Sequence, residues 1–196
     1  MTAYGLVFLS NEIIINKRKN IIEFGSGIST IYLALSILKH NLNGNITTIE
    51  NDAVWFERVK SKLAELQLTP FVNLIYAPLM DDVELGKSNK WYNSAVIDKR
   101  LNKSKPFDMV VVDGPSAFEP DIELSRYRAI PYLYNMLAKD NAVFLDDANR
   151  NGENAVIKLW REQFGLDFKT YNNRIAVCRN GVYKNSHPSH LSILTR

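Results

Sequence analysis

Short apolar stretches alternate with segments of helical periodicity along most of this sequence, and this alternation is the strongest constraint on its fold. The apolar, often β-branched stretches predict buried strands at 21–24, 46–50, 72–76, 107–114 and 141–147. Apolar residues at helical spacing predict helices at 29–40, 52–67, 123–138 and 154–164. Because strands that alternate with helices usually pair in parallel, the pattern predicts an α/β fold with helices on both faces of a mostly parallel sheet.

The remaining segments complete this prediction. Residues 168–173 and 175–180 are strand-like and meet at a turn signal, Asn173-Arg174, which predicts a closing antiparallel hairpin. The polar segment 80–105 predicts a short helix with loops. We expect a single domain over 1–196, with a helical segment at 1–20 and a polar tail at 181–196 that either frays or docks on the body.

Composition excludes several classes of protein. The net charge of +3 over 196 residues is too small to indicate nucleic-acid binding. The single cysteine, Cys178, excludes an internal disulfide framework and a cysteine-based zinc site. No run of about 18 apolar residues predicts a membrane span. The first residues lack the basic start and the small-residue cleavage site of a signal peptide, so we expect a cytoplasmic protein.

Residues that suit ligand binding follow the predicted strands. In an open parallel sheet, ligands bind beyond the carboxyl ends of the strands, where the strand order reverses. Glycine permits a sharp turn there and a close approach of the ligand to the backbone, and carboxylates accept hydrogen bonds from hydroxyl groups. The strand-end segments are Gly25-Ser26-Gly27, Glu50-Asn51, Ala77-Pro78-Leu79, Asp113-Gly114-Pro115 and Asp146-Asp147. Together they predict a nucleoside-binding and reaction cleft.

The glycine spacing leaves the type of nucleoside open. A nicotinamide fingerprint requires a small third residue, and Thr30 occupies that position. The sequence also lacks an evident Tyr-x-x-x-Lys pair, so an NAD-dependent oxidoreductase is a disfavoured alternative. A non-catalytic nucleoside-binding protein of the same fold is the second alternative, because the residues that would bind an acceptor cannot be identified.

The motifs resemble those of a known family. EFGSGIST (23–30) followed by IEN (49–51) resembles the first two motifs of class I S-adenosylmethionine-dependent methyltransferases. FDMVVVDGP (107–115) and AVFLDDANR (142–150) resemble that family's fourth and fifth strand motifs. Over about residues 20–180 the chain is similar to small bacterial methyltransferase-like proteins and the O-methyltransferase branch. The resemblance implies a Rossmann-like, doubly wound sheet of seven strands with an antiparallel C-terminal strand.

The resemblance also implies a cofactor, S-adenosyl-L-methionine, and O-methylation of a small-molecule or sugar hydroxyl, although a protein or RNA acceptor stays open. Gly25 to Gly27 would line the methionine part, Glu50 would hold the ribose, and 77–79 would border the adenine. Glu23 would orient the glycine loop or approach the aminoacyl group. The implied cofactor residues are Glu23, Phe24, Gly25, Ser26, Gly27, Ser29, Glu50, Asn51, Ala77, Pro78, Leu79 and Asp113.

Asp113 and Asp147 are the predicted catalytic residues, either one as a base toward the acceptor. In catechol-type relatives, an acid after the fourth strand and an Asp-Asn pair after the fifth bind magnesium. Asp113 and Asp147 match the two acids, but Ala148 stands where the asparagine is expected. The resemblance thus allows Mg²⁺, but we expect a metal-free site.

Two further features have two interpretations each. Arg150 could pair with an anionic substrate or with a nearby acid. Trp91-Tyr92 could form a wall of the substrate pocket or anchor a loop. The sequence does not predict the oligomeric state.

Overall fold

A seven-stranded sheet forms the centre of the protein in a computed structural model, which describes residues 1–82, 85, 88–102 and 104–188. The strands are β1 Asn20–Phe24, β2 Asn45–Glu50, β3 Val72–Tyr76, β4 Leu79–Asp81, β5 Lys90–Tyr92, β6 Phe107–Val112, β7 Leu137–Leu145, β8 Lys169–Tyr171 and β9 Ile175–Asn180. The helices are α1 Ala3–Asn16, α2 Ile28–Lys39, α3 Ala53–Glu65, α4 Ser94–Arg100, α5 Ala129–Leu133 and α6 Asn151–Phe164.

The strand order in the large sheet is β3-β2-β1-β6-β7-β9-β8. Its first five strands pair in parallel, whereas β9 runs antiparallel to both β7 and β8. The predicted fold class is therefore confirmed, including the antiparallel last strand. The hairpin turn spans residues 172–174 between the paired Tyr171 and Ile175, so it includes the predicted Asn173-Arg174, and Asn172 and Asn173 both have positive φ.

Alternating side chains of the central strands pack against helices on opposite faces of the sheet. Ile21 packs in the core beneath α1, α2 and α3, whereas Ile22 packs in the core beneath α4, α5 and α6. Because both faces are covered, every residue of β1 is buried and β6 is apolar at every position except Asp108.

Two segments differ from the prediction. The helix predicted at 123–138 is broken into a 3₁₀ turn at Ser125–Arg128, the short α5, and a second 3₁₀ turn at Tyr134–Met136. β7 then begins at Leu137, four residues earlier than predicted, because Leu137 pairs with Phe107 of β6 before a register shift to the Met109–Ala142 pair. The short helix predicted within 80–105 is α4. The β4–β5 hairpin, in which Leu79 pairs with Tyr92, precedes it and was not predicted.

A buried ion cluster attaches the N-terminal helix and the start of the tail to the sheet. Glu12 of α1 is fully buried and lies 2.8 Å from the Arg18 guanidinium and 2.9 Å from the Arg179 guanidinium of β9. Ser186 also donates a hydrogen bond to Glu12, so residues 181–188 dock on the body. Residues 189–196 of the predicted tail lie outside the described residues.

We expect Glu12→Ala to lower the free energy of unfolding by about 3–5 kcal/mol, because it leaves two buried guanidinium groups without their shared carboxylate. Urea denaturation would measure the change. The control is Glu57→Ala on the exposed surface of α3, where we expect less than about 1 kcal/mol. Equal losses in the two variants would contradict a structural role for the cluster.

Candidate functional site

The loops that follow β1 and β6 pass each other in close contact where the strand order reverses. The Gly25 amide donates to Ile49 and the Asp113 amide donates to Phe24, each at 2.9 Å, so both loops continue the sheet ladder. Gly25 has φ of 89°, and a Cβ there would lie 2.8 Å from the Gly114 nitrogen. Only glycine fits this crossing. This crossing is the switch point in strand order at which a doubly wound sheet is expected to bind its ligand.

Glu23 organises the glycine loop from within β1. Its carboxylate accepts hydrogen bonds from the Thr30 hydroxyl at 2.6 Å and the Thr48 hydroxyl at 2.9 Å. The Thr30 hydroxyl in turn accepts a bond from the Gly27 amide at 3.0 Å. The acid thus connects β1, β2 and the start of α2. Burial raises the pKa of Glu23 to about 7, against the hydrogen bonds that favour the charged form.

Glu50, at the end of β2, is buried and accepts four hydrogen bonds. One carboxylate oxygen accepts from the Ser26 amide at 3.0 Å and the Ser26 hydroxyl at 2.6 Å. The other accepts from the Asn51 and Asp52 amides, both at 2.8 Å. These donors fill the roughly four acceptor positions of a carboxylate. A ribose could therefore reach Glu50 only by replacing Ser26.

Asp113, Asp146 and Asp147 form a cluster in which one oxygen from each lies within 4.8 Å of the others. Cationic groups already contact these carboxylates. Asp147 is paired with Arg150 at 2.9 Å, with Arg126 at 3.3 Å and with Arg174. Asp146 is paired with Arg174 at 3.3 Å, and the Met1 amino group lies 3.0 Å from Asp146 and 3.4 Å from Asp113.

Magnesium requires several free oxygen ligands around one point. In the cluster, guanidinium and amino groups contact the oxygens that would serve as ligands. The residues as arranged do not fit a magnesium ion.

Arg126 braces the ends of β6 and β7. Its guanidinium is buried and donates to the carbonyl oxygens of Asp113 at 3.0 Å, Pro115 at 3.1 Å and Asp146 at 3.1 Å. It also lies 3.2 Å from the buried carboxylate of Glu153. The sequence did not indicate this role, because Arg126 belongs to a segment that was predicted only as a helix.

The two predicted catalytic aspartates differ in accessibility. The Asp113 side chain is 21% exposed and that of Asp147 is 6% exposed. Burial and the neighbouring carboxylate of Asp146 raise the pKa of Asp113 to about 6. Asp113 is therefore the more open of the two and would be ionised at neutral pH.

The other predicted cofactor residues lie along the same edge of the sheet. Phe24 packs on Trp91, with ring centroids 4.8 Å apart. Ser29 is buried in the first turn of α2, Ala77 donates its amide to the Glu50 carbonyl, and Leu79 begins β4. The structure thus brings the predicted set together, and the role of each residue toward a cofactor stays a prediction. Pro78 accepts a hydrogen bond from the Asn93 amide at 2.9 Å, which fixes the start of α4 beside the hairpin.

Arg150 and Tyr92 had two interpretations each. Arg150 pairs with Asp147 and lies 3.7 Å from Glu153, which agrees with the interpretation as an ion-pair partner of nearby acids. Tyr92 is 1% exposed and packs on Phe24, and a Cβ on Gly114 would lie 2.5 Å from its hydroxyl. The tyrosine therefore extends from the hairpin into the crossing of the two loops.

Solved structures share this fold. The O-methyltransferase TomG of Streptomyces achromogenes, in complex with SAM, matches with a TM-score of 0.67 and 17% identity over 93% of this chain and 82% of its own. An O-methyltransferase from Bacillus cereus, in complex with SAH, matches with a TM-score of 0.67 and 15% identity over 92% and 82%. A methyltransferase-like protein from Silicibacter pomeroyi matches with a TM-score of 0.58 and 19% identity over 99% and 93%.

At these identities the matches establish the fold, which is that of class I S-adenosylmethionine-dependent methyltransferases. No protein-family model and no curated protein matches the sequence. Within the described residues, no helix combines the length and apolar character that crossing a membrane requires.

Glu23 should make stability depend on pH. Its pKa is raised from 4.5 to about 7 on folding, so the folded protein binds the proton more tightly than the unfolded chain. The protonated acid stabilises the fold below about pH 4.5, and this contribution, roughly 3 kcal/mol, is lost as the pH rises to 7. We expect Glu23→Gln to remove this part of the pH dependence, as measured by urea denaturation from pH 5 to pH 8.

The matched control is Glu57→Gln on the exposed face of α3, which should leave the pH profile unchanged. If Glu23→Gln and the parent protein lose stability equally between pH 5 and pH 8, the titration of Glu23 is not coupled to folding.

Proposed function

We propose that the protein is an S-adenosylmethionine-dependent methyltransferase that methylates a hydroxyl group of a small molecule or sugar. The observation that most supports this proposal is the conformation of the Gly25 loop. The loop turns tightly at the switch point of a methyltransferase fold, and the buried Glu23 fixes it there. Glu50 lies beside this loop at the end of the neighbouring strand. A cytoplasmic location belongs to the same proposal.

We propose that a nucleoside with an aminoacyl group binds beside the crossing of Gly25 and Gly114. Glycine at both positions lets the two loops pass each other in direct backbone contact, which fixes the position of the loop that would meet the ligand. Glu50 would accept hydrogen bonds from the ribose once Ser26, whose hydroxyl is bonded to it, gives up its place. When bound, S-adenosylmethionine supplies a methyl group attached to a sulfonium.

Asp113 is our candidate for the base. Its pKa of about 6 leaves it ionised at neutral pH, so it can accept the proton of an acceptor hydroxyl at its carboxylate. Asp147 is paired with three guanidinium groups and is a weaker candidate. We propose that the reaction needs no metal ion, because the cationic side chains neutralise the acidic cluster.

A non-catalytic nucleoside-binding protein is the second candidate. The observation that favours it is the pairing of the cleft carboxylates: Glu50 is saturated by backbone and Ser26 donors, and Asp147 by arginines. Such a protein would bind S-adenosylhomocysteine but would transfer no methyl group.

We expect S-adenosylhomocysteine to raise the melting temperature, whereas NAD should not. A ligand present at 100 times its dissociation constant stabilises a protein by about 2.7 kcal/mol, which thermal denaturation detects easily. NAD serves as the matched control, since it also carries adenine and ribose. A shift with NAD alone, or with neither compound, would contradict the proposed cofactor.

Glu50→Ala should weaken binding of S-adenosylhomocysteine about tenfold, or about 1.4 kcal/mol, by isothermal titration calorimetry. This loss of binding free energy is small for a charge-assisted hydrogen bond. The reason is that the ribose would replace the Ser26 hydroxyl, which is already bonded to Glu50, and would not meet an unbonded carboxylate. Circular dichroism must first show that the variant is folded, since three residues lose their acceptor. Unchanged affinity relative to the surface variant Glu57→Ala would place the ribose elsewhere.

A further inference from the structure

The β4–β5 hairpin carries Tyr92 into the loop crossing. Tyr92 ends β5, and only two residues separate its backbone partner Leu79 from the end of β3, so the hairpin begins at the edge of the sheet. The phenol ring packs 5.8 Å from Phe24 and 5.0 Å from Trp91. Its hydroxyl lies against Gly114, on the side where that residue meets Gly25.

The hydroxyl of Tyr92 is buried and has no hydrogen-bond partner in the described part of the chain. A buried hydroxyl without a partner destabilises a folded protein, and phenylalanine would fill the same ring position without that cost. Packing of the core therefore accounts for the ring of Tyr92 but gives no reason for its hydroxyl. Buried polar groups in native proteins are nearly always hydrogen-bonded, so this unpaired hydroxyl calls for an explanation, and a bound ligand is one.

None of the neighbouring acids accepts a hydrogen bond from the Tyr92 hydroxyl in the structure, and of these acids only Glu23 has a buried oxygen without a partner. Glu50 already accepts four hydrogen bonds, and the Asp113 carboxylate faces the Met1 amino group and the Arg126 guanidinium. Burial and the charge of Glu50 raise the pKa of Tyr92 well above its usual range, so its hydroxyl stays a donor.

We propose that Tyr92 is a cofactor-binding residue whose hydroxyl donates a hydrogen bond to an oxygen of the nucleoside ligand in the cleft between β1 and β6. This inference rests on the proposed function. The acceptor is an oxygen of the ribose or of the aminoacyl carboxylate. The hairpin thereby contributes a contact that the strand-end motifs do not provide.

The test uses Tyr92→Phe in the full chain, which keeps the ring and removes only the hydroxyl. Without ligand, the melting temperature should rise by about 2–4 °C, because an unpaired buried hydroxyl is removed. Binding of S-adenosylhomocysteine should weaken by about 3- to 10-fold, as measured by calorimetry. A purely structural tyrosine would not combine higher stability with weaker binding.

The matched control is Tyr127→Phe, which removes a buried hydroxyl that already donates to Gln163 of α6. It should lower the melting temperature and leave the ligand affinity unchanged. Repeating the titrations with 5′-methylthioadenosine, which has the ribose but no aminoacyl group, identifies the acceptor. A loss with both ligands indicates the ribose, and a loss with S-adenosylhomocysteine alone indicates the carboxylate.

Two results would overturn this inference while leaving the proposed function intact. One is equal affinity of the parent protein and Tyr92→Phe for S-adenosylhomocysteine. The other is a lower melting temperature of ligand-free Tyr92→Phe, which would mean that the hydroxyl is already paired inside the protein, with Glu23 as the acceptor that still has an unbonded oxygen. If the parent protein itself does not bind S-adenosylhomocysteine, the proposed function fails as well.

Discussion

The close approach of Gly25 and Gly114 is the constraint on which the arrangement of the cleft depends. A Cβ on Gly114 would lie 2.8 Å from the Gly25 Cα, so the ends of β1 and β6 can meet only if both residues lack side chains. This contact fixes where the loop after β1 turns toward α2. Glu23 then holds the turn through Thr30, and the Tyr92 hydroxyl reaches the space beside the crossing.

Because several strands end at this edge of the sheet, acidic side chains are close together there and need cationic partners. Parallel strands bring their terminal acids to one edge, and Asp113, Asp146 and Asp147 would repel one another without compensation. Arginines from three separate segments, with Arg126 fully enclosed among backbone carbonyls, supply that compensation. Removing one partner of such a buried network is costly, so the same contacts that stabilise the edge also restrict which acids are free to contact a ligand.

Local patterns predicted the sheet and the acids at its edge, because burial on both faces leaves a clear apolar signal in β1, β6 and β7. The β4–β5 hairpin was missed, since strands of three residues carry too little periodicity. Arg126 and Arg174 reach Asp147 from 21 and 27 residues away, and no local pattern encodes that meeting. For the same reason the sequence alone did not decide whether Tyr92 forms a wall of the substrate pocket or anchors a loop.

The hydrogen bonds that the cleft residues already make also determine which of them can add to the binding free energy of a ligand. In the proposed complex, Glu50 would exchange the Ser26 hydroxyl for a ribose hydroxyl, and an exchange between similar hydrogen bonds limits what this contact adds to binding. A ligand gains more where it satisfies a group that folding has left unpaired. Among the described residues at the crossing, those groups are the Tyr92 hydroxyl and one oxygen of Glu23. The specificity of the cleft should therefore depend on the tyrosine that the hairpin brings to it as well as on the strand-end acid that the motif identifies.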